Sequence, residues 1–497
     1  MPVKSAKNKV YINQDNYSGM KVLIMGLGLH GGGVESARYL AGRDAEVTVT
    51  DLRGEEALAP SMEALKDLPI RYVLGRHNVE DFQKSDFVVK NPGVRSDSPY
   101  LKEAKRIETD ISLFLTACPA RLLAVTGSKG KSSASSAIYH VLNESRAPTL
   151  DAKRTGINFH GKVYLGGNIT ISPLSFLAKL EEGDDVVLEL SSWQLGDLRG
   201  RGLLKPRAAV ITPIMRDHLD RYASMEAYVD DKRLIYRNQD SSDVTIARDD
   251  AWGRGFLEES RGRPLFYSEK PLGEGVSGGW IPDPKGPGFA RFCNNLNPDD
   301  TNFNGENGRF VEAVPARLLV PGFHQKQNLL AAALALLDLG LKADFVRESL
   351  GRFPGIEHRL EFFHESGGVR FYNDSAATIP EAAVAAISAF EKPPILVAGG
   401  TDKNLDFVPL ARAARNVKAL VLLSGTGTEK LKLLLDAGGV KYRGPFDSLE
   451  AATNAALDAA TQGDTVVLSP GCTSFGMFAN EFDRGNKWKE SVRKVAP

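Results

Sequence analysis

Cysteine is scarce, with only Cys118, Cys293 and Cys472 among 497 residues. Three thiols cannot build a disulfide framework, and their spacing matches no zinc-ligand pattern. Charge of one sign is also missing, because 62 Lys and Arg balance 62 Asp and Glu. That balance argues against a chain built to coat nucleic acid or an acidic membrane, while leaving room for a local basic groove. No apolar run approaches the roughly 20 residues of a membrane span. The opening MPVKSAKNKVYINQDNYSGMK contains no apolar core of a secretory signal. Internal repeats and heptad runs are absent. The expectation is a soluble cytoplasmic protein.

What is present is ordinary globular material, 42% hydrophobic and 25% charged, enough for packed cores. At roughly 150 residues per domain the length predicts about three domains. Apolar runs alternating with helix-like stretches predict the α/β class throughout. The first segment, residues 1–100, has strands at Val22–Met25, Glu46–Thr50 and Phe87–Val89, the last stopping at the turn Asn91-Pro92-Gly93. The second, 101–355, has runs at Asp185–Leu190 and Ala208–Thr212, and a helix at Lys326–Leu339 ending at Gly340. Glu269–Asn307, rich in Gly, Pro, Asn and Asp, reads as loops or short hairpins at a domain edge, with apolar patterning resuming at Arg317–Val320. The third, 356–497, is doubly wound, with strands at Ile395–Ala398, Ala419–Leu423 and Thr465–Leu468, and a helix at Pro380–Phe390.

The sharpest motif is TGSKGKSS, Thr126–Ser133, between a strand and a helix-like stretch. Gly127 and Gly130 let backbone N–H groups approach phosphate oxygens at a helix N-terminus. Lys131 would reach the β- and γ-phosphates and Ser132 would offer its hydroxyl to magnesium. The loop is shorter than the Walker pattern, since Val125 stands where that pattern has its first glycine. A nucleoside triphosphate is the expected ligand. Glu189 closes the run in VVLELSSWQL, and His218 follows another strand, between Asp217 and Asp220. Singly each reads as a structural residue. Beside a phosphate loop, a carboxylate and an imidazole at strand ends can hold a divalent cation. GLGLHG from Gly26, with Asp51 ending the next strand, is by itself a dinucleotide fingerprint and points to NAD.

The ordered set of motifs resembles the Mur ligase family over nearly the whole chain. It comprises GLGLHG, TGSKGKSS, GGN at Gly166, LELSSWQL, DHLDRY, PGFHQKQN at Pro321, PGIEHRLE at Pro354, NDSAAT at Asn373, GGTDKN at Gly399 and SPGCTSF at Ser469. The resemblance implies an N-terminal Rossmann-like domain for a UDP-sugar, a central P-loop-type ATPase domain and a C-terminal Rossmann-like domain for an amino acid. It implies ATP-dependent amide formation that adds D-glutamate to UDP-N-acetylmuramoyl-L-alanine through an acyl phosphate. The implied cofactors are ATP and two magnesium ions, with manganese as a substitute. The implied partners are these small molecules alone, with no nucleic acid or membrane, acting on a monomer. The residues themselves do not choose between glutamate enantiomers.

Carried over by motif, Gly127, Ser128, Lys129, Gly130, Lys131, Ser132 and Ser133 bind ATP, with Asn328 and Arg359. Ser132, Glu189, His218 and a carbamylated Lys232 hold metal, and Lys131, His218 and Lys232 are the catalytic set. Gly28, Leu29, His30, Asp51, Leu52, Arg53, Gly75, Asn168 and His218 hold the UDP-sugar, so the glycine turn is expected to take UDP diphosphate instead of NAD. Thr378, Lys403 and Ser474 grip the glutamate carboxylates, where a cation and hydroxyls suit a dianion. Four positions depart from the family pattern: Lys129 replaces Asn, Ala376 replaces the Lys of NDSKAT, Gln325 replaces an Asn, and Glu481 stands where an aromatic is common, with Phe482 one place on. Competing readings are a nicotinamide oxidoreductase, a nucleotide-binding regulatory protein, and another amide ligase such as a folate polyglutamate synthetase.

Overall fold

The computed structural model describes residues 17–29, 31–157, 160–169, 171–217, 221–293 and 310–497. Among these, the strands form three sheets of five, nine and six. The first contains β1 (Lys21–Met25), β2 (Glu46–Asp51), β3 (Arg71–Leu74), β4 (Phe87–Lys90) and β5 (Ile107–Glu108), in the order β3-β2-β1-β4-β5. Every pairing in it is parallel. Its helix α1 spans Gly32–Ala41 and follows β1. The order reverses between β1 and β4, which places the glycine turn after β1 next to the Asn91-Pro92-Gly93 turn after β4. Open α/β sheets bind ligands at such a switch point.

The second sheet contains β6 (Arg121–Thr126), β7 (Val163–Gly167), β8 (Asp185–Glu189), β9 (Ala208–Ile211), β10 (Val244–Arg248), β11 (Arg263–Ser268), β12 (Gly278–Trp280), β13 (Gly288–Arg291) and β14 (Phe310–Val314). Its order is β14-β13-β12-β11-β10-β9-β6-β8-β7. The associated helices are α2 (Asp110–Ala117), α3 (Lys131–Glu144), α4 (Ser192–Gly196) and α5 (Met225–Lys232). Strand β6 lies between β8 and β9, so the phosphate loop is flanked by the chain that follows each. The Gly- and Pro-rich stretch contributes the antiparallel pair β12–β13 near the sheet edge, as the hairpin reading expected. Arg317–Val320 is not a strand. The apolar strand is β14, and Pro315, lacking an N–H, follows its end.

The third sheet contains β15 (Glu361–Ser366), β16 (Val369–Asn373), β17 (Ile395–Ala398), β18 (Ala419–Leu423), β19 (Arg443–Phe446) and β20 (Thr465–Leu468), ordered β15-β16-β20-β17-β18-β19. Only the β15–β16 hairpin is antiparallel. Side-chain alternation sends Val466 and Leu468 to one apolar cluster, with Val397 and Trp488, and Val467 to another, with Leu396 and Leu420. That is why these strands read as continuous apolar runs. The helix expected from Lys326 is α6 (Phe323–Asp338). The helix expected at Pro380–Phe390 ends at Ser388.

The chain divides into two compact units. One comprises 1–282, 289–313 and 330–346, and the other 283–288, 314–329 and 347–497. The first unit therefore contains the first sheet and most of the second. Their apolar residues, Ile24 and Val89 together with Leu188 and Ile211, belong to one core cluster. Among the described residues no helix is long and apolar enough to cross a membrane.

Candidate active site

The phosphate loop begins where β6 ends. Gly127 sits at φ +140°, and a Cβ there would lie 2.0 Å from Thr212 Oγ1. Glycine is required by this contact as well as by the dihedral. Gly130, at φ +90°, turns the chain into α3, whose first turn carries Lys131, Ser132 and the buried Ser133. Lys131 Nζ donates to the carbonyls of Gly127 and Ser128, each at 3.1 Å, so the ammonium lies over the loop that it would serve. Ser128 Oγ accepts from Met215 N at 2.9 Å and lies 2.9 Å from the Tyr228 hydroxyl, fixing the loop to the chain after β9. The exposed Lys129 faces the Asp217 carboxylate at 3.8 Å, which partly balances the charge this departure adds.

Glu189 ends β8 beside this loop, in register with Val125. It is buried. Its Oε1 accepts from Asn168 Nδ2 at 3.0 Å, while Oε2, also buried, has no hydrogen-bond partner among the described residues. A buried carboxylate oxygen left unsatisfied is costly and marks a place for a cation or water. Asn168 is locked to Glu189 by the adjoining Gly167, where a Cβ would lie 2.1 Å from the Glu189 carbonyl. His218 lies outside the described residues, and among the described ones no group of three or more His, Cys, Asp or Glu forms a metal cluster. One carboxylate and one hydroxyl suit magnesium, which keeps several waters and takes further ligands from substrate phosphates.

Lys232, at the end of α5, is buried and donates to the Gly127 carbonyl at 2.9 Å. Burial, with repulsion from Lys131 as the next cause, pulls its amine down to about 7, against the opposite pull of Asp217 and Asp231. A solvated helix lysine would have had the ordinary value. Lys232 is instead a largely desolvated amine at the phosphate loop.

In the first sheet the glycine turn has positive φ at Gly26, Gly28 and Gly31. The close packing of helix on turn falls at Gly33, however, where a Cβ would lie 2.3 Å from the Leu27 carbonyl. Asp51 is saturated by its neighbours. It accepts from the backbone N–H of Gly28 at 3.3 Å, and from the backbone N–H, Nε and a terminal nitrogen of Arg53 at 3.0, 3.2 and 3.0 Å. Burial pushes this carboxyl up, but those bonds together hold it below the usual range. An NAD site would want this carboxylate free for the ribose hydroxyls. Leu29 and Leu52 are instead 49% and 66% exposed, offering apolar surface beside the turn. Gly75 closes the same corner, its N–H donating to the Arg53 carbonyl at 3.0 Å, and His30 lies outside the described residues. The turn after β4 packs on the glycine turn: a Cβ at Gly26 would lie 3.0 Å from Asn91 Cβ. The Asn-Pro-Gly sequence signalled a turn, and only the strand order shows what it covers.

In the third sheet Thr378 follows β16, Lys403 follows β17 and Ser474 follows β20, three neighbouring strands. Thr401 and Thr473 exchange backbone hydrogen bonds at 3.1 Å, and Gly471 N donates to the Ala377 carbonyl at 2.9 Å, so the three loops meet. Beneath them lies Arg484, a buried residue missed from sequence. Its guanidinium donates to Ser375 Oγ at 3.0 Å, the Ser375 carbonyl at 2.8 Å and the Cys472 carbonyl at 3.1 Å. Burial pulls it down to about 10. In sequence it stands three residues after Glu481, with nothing local to mark it as buried. Phe482 is exposed, 5.5 Å from the His358 ring. Asn328 and Arg359 belong to this second unit. Asn328 is buried in α6, and the exposed Arg359 lies between His358 and Leu360, which have positive φ.

Residues 20–112 match the model of the Mur ligase MurD-like N-terminal domain, 125–336 the Mur ligase middle domain and 358–472 the Mur ligase glutamate ligase domain. The chain is 39% identical to a UDP-N-acetylmuramoylalanine--D-glutamate ligase of Treponema pallidum, over 96% of this chain and 98% of that protein. It is 40% identical to the protein of that name from Roseiflexus sp., with the same coverage of 96% and 98%. Among solved structures, UDP-N-acetylmuramate-alanine ligase from Thermotoga maritima matches with a TM-score of 0.53 at 19% identity, covering 96% of this chain and 99% of that one. MurF from Acinetobacter baumannii matches with a TM-score of 0.52 at 14% identity, covering 96% and 93%. At those identities the structural likeness concerns the fold.

Proposed function

The chain belongs to the Mur ligase family, and from that premise we propose that it adds D-glutamate to UDP-N-acetylmuramoyl-L-alanine, with ATP, in cytoplasmic peptidoglycan precursor synthesis. The observation that carries this reading is the phosphate loop lying beside Glu189, whose buried Oε2 has no hydrogen-bond partner among the described residues. Residues 1–100 take the UDP-sugar, 101–355 the ATP and 356–497 the amino acid.

A carboxylate is a poor acyl donor because its leaving group would be oxide. The alanyl carboxylate oxygen attacks the γ-phosphorus, the bond to the bridging oxygen breaks, and ADP leaves. The glutamate amine then attacks the acyl carbon, and inorganic phosphate and a proton depart. Catalysis of this kind is mainly positioning and charge neutralisation. Loop N–H groups from Gly127 to Ser133 and the α3 N-terminus hold the phosphates, and Lys131 neutralises them. Magnesium held by Ser132 and Glu189, and a second ion by His218 and Lys232, would supply further neutralisation between the two anions. Lys232 first adds as a neutral amine to carbon dioxide, forming an N–C bond and releasing a proton, which turns a cation into an anionic oxygen donor. Asn168 holds Glu189 in place and offers its remaining capacity to the sugar nucleotide. The Asp51–Arg53 corner, with Leu29, Leu52 and Gly75, receives the uridine. Lys403, Thr378 and Ser474 orient glutamate by charge-assisted hydrogen bonds.

The test is coupled phosphate release with UDP-N-acetylmuramoyl-L-alanine, ATP, magnesium and each glutamate enantiomer in turn. Release that requires all components and favours D-glutamate is expected. Equal release without the sugar nucleotide would discard the assigned acceptor.

A further inference from the structure

Lys90 is an odd residue to end a buried strand. The other residues of β4, Phe87, Val88 and Val89, fill the core, and Lys90 is equally buried. Its Nζ reaches Asp197 Oδ2 at 2.8 Å and also donates to the Val94 carbonyl at 3.1 Å. Ser96 Oγ donates to the other Asp197 oxygen at 3.3 Å. One carboxylate therefore clasps both ends of the Lys90–Ser96 turn, in which Asn91 packs on the glycine turn of the first sheet.

Asp197 sits directly after α4, and α4 is the segment that follows Glu189. The same short helix carries Trp193, on which the Arg221 guanidinium stacks at 3.8 Å while donating to the Gly93 carbonyl at 3.4 Å. Its Gly196 faces Asp231, where a Cβ would lie 2.6 Å from Oδ2, and Asp231 precedes Lys232. Helix α4 is thus tied to the turn over the glycine loop through Asp197 and the stacked Arg221, and its Gly196 packs on the Lys232 helix.

A buried ion pair is weak evidence for stability, because desolvation offsets much of the attraction. Burial indeed pushes the Asp197 carboxyl above its usual range in spite of the Lys90 ammonium. Such a pair is better explained by geometry that it enforces.

We propose that the Lys90–Asp197 pair is a positioning device that fixes the UDP-sugar turn of the first sheet against the Glu189–Lys232 site of the second, aligning the acceptor carboxylate for phosphoryl transfer. This rests on the ligase reading above. Neither residue touches the reacting atoms. Both set the distance between the anchored nucleotide end of the acceptor and the place where its other end reacts, and a small misplacement there costs rate.

The experiment compares the parent with Lys90→Met, Asp197→Leu and the double variant. Each single variant leaves one charge buried and should melt lower, whereas the apolar double variant should recover the parent's melting temperature. If the pair positions the acceptor, the double variant nevertheless raises KM for the UDP-sugar at least about tenfold. It also releases phosphate in excess of amide formed, while KM for ATP stays within about twofold. A double variant that folds with parental acceptor KM and coupling overturns the proposal. Should it fail to fold, Lys90→Arg and Asp197→Glu keep both charges and shift the geometry. The same split is expected from them, and unchanged constants again overturn it. If the parent itself makes no amide, the ligase reading fails separately. Titration calorimetry with UDP alone then decides: weaker binding by the variants supports the positioning role, and equal affinity refutes it.

Discussion

Asn168 and Glu189 are joined twice: the Asn168 side-chain amide donates to Oε1 at 3.0 Å, and its backbone N–H donates to the Glu189 carbonyl at 2.8 Å. This double tie holds Glu189 with its other oxygen, Oε2, buried and without a hydrogen-bond partner among the described residues. Replacing Glu189 by Gln keeps the shape and removes the anion. Amide formation should fall by about 100-fold or more. The magnesium concentration for half-maximal rate should rise, while folding stays parental. A metal titration of the rate with parental far-UV and near-UV spectra checks this, and an unchanged magnesium dependence would contradict the role given to Oε2.

Lys232 should react with carbon dioxide in a pH-dependent way. Its amine, brought down to about 7, is charged below that pH and neutral above it, and only the neutral form is nucleophilic. Between pH 6 and 8 the neutral fraction rises from about a tenth to about nine tenths. Labelling with ¹³C-bicarbonate should therefore give a carbamate resonance that grows across this window and is absent in Lys232→Ala. That variant should lose nearly all turnover and regain part of it with short carboxylic acids. Full activity in it would remove the carbamate from the scheme.

Gly127→Ala tests the loop's backbone. The added methyl would meet Thr212 Oγ1 at 2.0 Å and the Thr212 carbonyl at 2.7 Å, neither of which is the end of a flexible chain. The loop must shift, carrying away the carbonyl that Lys131 and Lys232 both bind. ATP affinity should drop by about tenfold or more. Gly127→Ala/Thr212→Ala relieves only the hydroxyl clash and should recover ATP binding in part. Calorimetric ATP binding measures both.

Much of this was legible because the relevant signals are local. The phosphate loop announces itself within eight residues of TGSKGKSS, and the strands of the third sheet are continuous apolar runs because both faces are buried. Asn91, Lys90 and Asp197 were illegible for the opposite reason. Their meaning depends on β4 lying beside β1 and on a contact spanning 107 positions, from 90 to 197, which no local pattern encodes. Gly33 shows a subtler limit: the fingerprint places its third glycine at Gly31, whereas the helix closes on the turn two residues later. Lys232 is named in the sequence only by family resemblance, since burial is a property of what packs around it. Thr378, Lys403 and Ser474 came only from family resemblance, and the strand order supplies the physical reason they share one end of the third sheet.

Asp110 offers a test of the first unit's electrostatics apart from catalysis. It is fully buried at the start of α2, and its two oxygens accept from the Ile111 N–H at 2.9 Å and Ser172 Oγ at 3.2 Å. Burial pushes its carboxyl up to about 6, the two hydrogen bonds oppose that, and the nearby Asp197 charge adds to it. An acid whose folded value is raised holds its proton in the native state after the unfolded chain has released it. Its contribution to stability is therefore greatest below about pH 4 and declines until about pH 6, beyond which the cost is constant. At about 1.4 kcal/mol per unit, that cost is on the order of 3 kcal/mol at neutral pH. Asp110→Asn abolishes the ionisation and keeps an oxygen for the Ile111 N–H. The variant should match the parent in urea unfolding at pH 4 and exceed it at pH 7. A difference that does not change between those two pH values would mean that the carboxyl is not titrating in the folded protein.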